Sequence, residues 1–157
     1  MKEQILSVAR ETVDTLGFIC VEAVINISKS MRTLKVVIYK KDGDVAMDDC
    51  SSVANVIIRR LDVEIPEFSN LYDVIVESPG VDRRLKTLED FKIFSDKEIR
   101  FVLKNPSQFG RKDNVVIGKV TQIEGDRISI HSDDCDIVAG VADFSTAKLH
   151  FDIKKYL

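Results

Sequence analysis

The residues able to do chemistry are few and scattered. There are only two histidines, His131 and His150, both in segments that alternate like strands, and neither has an acid or thiol beside it in the sequence to make it a base or ligand. Three aspartates crowd at Asp133, Asp134 and Asp136, without the alternating ligand spacing and glycine of a calcium loop, so a solvated turn is the expectation. Asp48 and Asp49 stand where a helix should begin, which explains two carboxylates at its positive end. The three cysteines, Cys20, Cys50 and Cys135, are far apart and unpaired in spacing, and they read as small buried hydrophobes rather than a disulfide framework or zinc site. No phosphate loop, dinucleotide fingerprint, nucleophile elbow or His-x-x-x-His pair occurs. These patterns point away from an enzyme and imply no cofactor and no metal.

Two stretches are built differently. Glu77-Ser78-Pro79-Gly80-Val81-Asp82-Arg83-Arg84-Leu85 places a proline-glycine turn after a strand, followed by an acid, two arginines and then Lys86. It is either a linker whose Asp82 ties down an arginine, or a surface on which Arg83, Arg84 and Lys86 meet a carboxylate or phosphate. The loop Asn105 to Asn114 carries Phe109, Arg111 and Lys112 near its tip. An aromatic between basic groups can stack on a base or anchor a protein, or Phe109 can close one end of a β-domain. The candidate partner-binding residues are therefore Ser78, Asp82, Arg83, Arg84, Lys86, Phe109, Arg111 and Lys112.

The elements that must hold these stretches follow from periodicity. Ile5, Ala9, Val13 and Leu16 form a helical stripe that Gly17-Phe18 ends. Ile19, Val21, Ala23, Ile25 and Ile27 alternate as a strand with Cys20 on the opposite face, and Leu34, Val36 and Ile38 make a second. Asp42-Gly43 closes that strand. A helix follows from about Asp48 through Leu61, and Tyr72 to Glu77 is a third strand reached by a parallel crossover. Thr87 caps a short helix from Leu88 to Phe94. Five short strands then fit near Ile99 to Leu103, Val115 to Glu124 (bent at Gly118), Ile128 to Ile130, Cys135 to Ala139 and Ala147 to Phe151. The expected fold is α+β: an αββαβ domain of KH-like element order over residues 1–85, then a small closed SH3-like or Sm-like five-stranded β-barrel over 86–157.

The 157 residues carry a net charge of -3, with 11 basic against 14 acidic residues up to Leu85 and 12 against 12 beyond it. Neither half is a general polyanion binder, so any nucleic-acid contact must come from a local patch. With no apolar run of membrane-span length and no cationic leader before an apolar core, a cytoplasmic location is expected.

Taken together, several stretches resemble the bacterial ribosome maturation factor RimP family. They are Leu16-Gly17-Phe18 leading into Val21-Glu22, Leu34 to Tyr39 leading through Asp42-Gly43 to Met47-Asp48-Asp49-Cys50, Leu61-Asp62, Glu77 to Leu85, and Glu98 onward. The specific part is Ser78-Pro79-Gly80-Val81-Asp82-Arg83, close to that family's Ser-Pro-Gly-Leu-Asp-Arg-Pro-Leu, with Arg84 where the family usually has proline. The resemblance implies a non-catalytic factor that binds the free small (30S) ribosomal subunit and assists its late maturation. It implies as partners a small-subunit ribosomal protein near the decoding centre, met by the carboxyl-terminal barrel, and small-subunit ribosomal RNA facing the amino-terminal domain. It implies no small-molecule substrate and no membrane. The alternative is a freestanding KH- or Sm-like RNA-binding regulator, although the Gly-x-x-Gly clamp and an RNP-type aromatic motif are missing.

Overall fold

The first helix, α1 (Lys2–Thr15), buries Ile5, Val8, Ala9, Thr12 and Val13 along one face. It ends because Gly17 adopts a φ of +86°. The Gly17 amide then donates to the Asp14 carbonyl, and the Phe18 amide to the Val13 carbonyl at 3.1 Å, the paired bonds of a Schellman stop. The chain turns directly into β1 (Ile19–Ile27), antiparallel to β2 (Arg32–Tyr39). This computed structural model describes residues 1–41 and 43–150. The expected turn residue Asp42 and the expected strand end at Phe151 lie outside them.

Strict alternation along β1 fails at one point. A bulge between Cys20 and Glu22 inserts Val21 without a partner and shifts the parity of what precedes it. Cys20 therefore packs toward the core with Ala23 and Ile25, instead of facing away as the sequence alternation implied. Its burial raises the thiol pKa above the ordinary value.

Helix α2 (Met47–Glu64) carries the chain across to β3, with Val53, Ile57 and Leu61 fully buried. Its start is held by Asp49, whose carboxylate accepts from the Ala46 amide at 2.9 Å and from Lys40 Nζ at 3.4 Å. A single turn, α3 (Phe68–Leu71), precedes β3 (Tyr72–Glu77) and seats Phe68 on Tyr72 with ring centroids 4.9 Å apart. β3 pairs parallel to β2, giving the order β1-β2-β3 with the two long helices packed on Leu34, Val36 and Ile38. The parallel crossover read from the sequence is present.

The chain divides into two compact units, Met1–Pro79 and Gly80–Leu157. The expected domain boundary at residue 85 and this division differ by the segment 80–85, which pairs inside the second unit. There the Leu85 amide donates to the Ala147 carbonyl at 2.8 Å and the Leu149 amide to the Arg83 carbonyl at 2.9 Å.

In the second unit, Thr87 caps α4 (Leu88–Ile93): its hydroxyl accepts from the Asp90 amide, and the Asp90 carboxylate accepts from the Thr87 and Lys86 amides. The remaining strands are β4 (Ile99–Leu103), β5 (Val115–Glu124), β6 (Arg127–His131), β7 (Asp136–Gly140) and β8 (Phe144–Leu149). They form an antiparallel sheet of order β7-β6-β5-β4-β8. Phe91, Phe101 and Phe144 centre its core. The last strand starts three residues before the expected Ala147, and His150, expected within it, follows its end.

Gly118 in β5 lies against the backbone of β6. A methyl at this position would collide with the His131 carbonyl oxygen and come within 3.0 Å of Ile130 Cγ2. The backbone cannot step aside without breaking the Lys119–His131 rung. Gly118→Ala is therefore expected to destabilise the second unit by about 1–3 kcal/mol, read as a lower urea midpoint with the slope unchanged.

Candidate functional site

The junction residues are fixed by two local devices. After Ser78, which is exposed at the end of β3, Pro79 and Gly80 stop the strand, and a turn closes when the Arg83 amide donates to the Gly80 carbonyl at 3.2 Å. Residues 83–85 then lie along the outer edge of β8, with Arg84 directly opposite Lys148. Asp82, Arg84 and Lys86 are exposed, and Leu85 is buried. Arg83 is half-buried, so its guanidinium does not stand clear of the surface as Arg84's does. The segment is thus both a connection and an added edge strand, which covers main-chain groups that β8 would otherwise expose.

The loop between β4 and β5 is shaped by a 3₁₀ turn over Pro106–Phe109 that Gly110 ends at a φ of +70°. Phe109 is half-buried and Lys112 exposed. Arg111 turns inward and is only 14% exposed. Its Nη1 donates to Cys135 Sγ at 2.8 Å and its Nη2 to the Val115 carbonyl at 3.3 Å, with Asp134 at 3.8 Å. A guanidinium engaged in this way ties the loop to the turn between β6 and β7. Local spacing carries no sign of it, because Cys135 and Asp134 are more than twenty residues away.

The two stretches are not brought together. The junction pairs at the Ile99–Leu149 end of the β4–β8 ladder, whereas the Asn105–Asn114 loop leaves from the Leu103–Phe144 end. Four steps of strand separate these ends, about 13 Å. They are two separate surfaces.

The acidic groups are accounted for locally. Asp134 accepts from the Ser132 hydroxyl at 2.6 Å, and that bond, with Arg111's charge, lowers its carboxyl pKa from the ordinary value. Asp49 is lowered chiefly by its bond from the Ala46 amide and also by Lys40. His131, expected to lack an acidic partner, has one: its Nδ1 lies 2.5 Å from Asp136 Oδ1 across the β6–β7 rung. The sequence reading missed it because the partner arrives by strand pairing. Both side chains are largely exposed, at 65% and 78%. Among the described residues no three His, Cys, Asp or Glu side chains are placed to hold a metal ion. No described helix is long and apolar enough to cross a membrane.

The first unit's β1-β2-β3 sheet, its two long helices and the turn that leaves it span one family. Residues 8–82 match the RimP N-terminal domain. This domain belongs to the RimP family. The match runs from α1 through β3 to Asp82, so the motif read as Ser78 to Arg83 falls at its end. The RimP domain thus takes in part of the segment whose arginines pair with β8. The family is one of ribosome maturation factors.

Proposed function

We propose that this protein is a cytoplasmic, non-catalytic ribosome maturation factor that binds the free small subunit and assists its late assembly. The observation that carries the reading is the match of residues 8–82 to the RimP N-terminal domain. In this reading the first unit is a KH-like domain that faces small-subunit ribosomal RNA. The second unit is an SH3-like or Sm-like barrel that meets a small-subunit ribosomal protein near the decoding centre. Two features are consistent with a binding role. The exposed cation Arg84 is paired on the edge of β8 with exposed Lys86 just beyond it, and the acids that could have served catalysis are committed to helix starts and turns.

Fractionating a lysate on a sucrose gradient tests this. The protein should comigrate with free small subunits and leave the fractions of assembled ribosomes and small RNAs empty. Migration with small RNAs alone would support a freestanding RNA-binding regulator instead. Within the same assay Arg83→Ala should weaken comigration about tenfold to hundredfold if its guanidinium makes one charged hydrogen bond to the subunit. A loss that only follows a lowered thermal midpoint would make Arg83 a structural residue.

A further inference from the structure

The junction strand, β8 and β4 lie side by side, and their registers place three cations in one line. Arg84 is opposite Lys148, and Lys148 is opposite Arg100. Directly opposed residues in antiparallel strands share a face, and here it is the solvent face. The neighbours Leu85, Ile99, Phe101 and Ala147 point into the core, while Arg84 is exposed and Arg100 and Lys148 are half-exposed. Among the described residues none of the three has an ion pair or side-chain hydrogen bond. Lys86, two residues beyond Arg84, is also exposed. Asp82 and Glu98 stand two positions before Arg84 and Arg100 and bound the row on one side only.

Like charges directly opposite each other destabilise a sheet. A line of three, about 10 Å across at ordinary strand spacing, is therefore an arrangement that folding alone disfavours. We infer that this row, Arg84–Lys148–Arg100, is a contact for the phosphate backbone of RNA. Side chains that no neighbour holds in place suit a continuous line of charge better than a fixed carboxylate fork. Among the described residues the face holds no exposed aromatic ring beside the row, its next position being Ile117, so the contact reads charge and not bases. The inference goes beyond the proposed function, in which the second unit meets a ribosomal protein.

The test compares the full chain with the triple variant Arg84→Gln, Arg100→Gln, Lys148→Gln. The probes are protein-free small-subunit ribosomal RNA, and poly(U) as a sequence-neutral control, titrated between 50 and 200 mM salt. Three lost phosphate contacts should flatten the log-log salt slope by about 2–3. Over that range the parent should lose about 20- to 40-fold more affinity than the variant. The variant's thermal midpoint should be unchanged or higher, since repulsion has been removed. Neutralising Lys92, Lys97 and Lys104, exposed cations of the same unit that are not members of the row, changes net charge equally and should leave the slope alone. An unchanged slope in the triple variant, or no RNA binding by the parent at 50 mM salt, overturns the inference. So does a variant that binds RNA normally yet loses intact subunits, which would assign the row to an acidic protein surface. A parent that binds RNA with the expected slope but never comigrates with small subunits would sink the ribosomal reading and leave the row standing.

Discussion

Phe101→Ala should unfold the second unit at a urea concentration far below the parent's while leaving the amide signals of residues 1–79 dispersed. Phe101 has no exposed surface, stacks on Phe91 with centroids 5.9 Å apart and tilts against Phe144 at 4.9 Å. It also sits on β4, an interior strand paired with both β5 and β8. Truncating a buried phenylalanine costs about 3–5 kcal/mol, a large share of the ~5–15 kcal/mol that holds a typical domain folded. The first unit has its own core, from Ile5 and Val13 through Leu34, Ile57 and Phe68, and should not follow. Phe68→Ala is the mirror experiment. Loss of dispersion in both units from either variant would mean that they fold as one cooperative block. A loss under about 1 kcal/mol would mean that the aromatic cluster is not the centre of the core.

The elements were legible where one periodicity ran undisturbed. α1, α2, β2 and β3 follow directly from apolar spacing, since burial on one face leaves a helical or alternating signature whatever the neighbours. The Schellman stop at Gly17-Phe18 and the Thr87 cap were legible because both are written in adjacent residues. The bulge at Val21 was not, because an extra residue is defined by the partner strand and leaves no mark on its own. α3 is one turn, too short for a period to show. Gly118 drew notice as a break in a strand, but its reason, the carbonyl of His131 lying against it, is a long-range fact. The site divides the same way. The proline-glycine turn and the exposure of Arg84 and Lys86 were visible, whereas the cationic row depends on the registers of three strands.

Arg111 and Lys112 stand side by side in a loop, and the sequence offered no ground to separate them; Arg111→Ala and Lys112→Ala are now expected to behave oppositely. Removing Arg111 strips donors from Cys135 and from the Val115 carbonyl and leaves a hole under the loop. A hydrogen bond from a charged donor contributes about 1.5–3 kcal/mol, so the loss should be at least that and should appear as a lower thermal midpoint. Arg111→Lys should rescue little, since one ammonium cannot span the thiol and the carbonyl as the planar fork does. Lys112 is exposed and its removal should change stability by less than about 0.5 kcal/mol. The pH dependence has a definite sign. Asp134's carboxyl is depressed in the folded state, by the Ser132 hydroxyl first and then Arg111, so its contribution is present above the unfolded carboxylate pKa and is lost as pH falls through the lower folded value. Arg111→Ala should weaken that acid-side dependence, and Lys112→Ala should keep it. Binding to small subunits decides between the two roles open to Arg111. A deficit that vanishes once the folded fraction is corrected for makes it the tether that shapes the loop. A deficit that persists in fully folded protein would make the guanidinium a contact and leave Cys135 and Val115 as partners it gives up on binding.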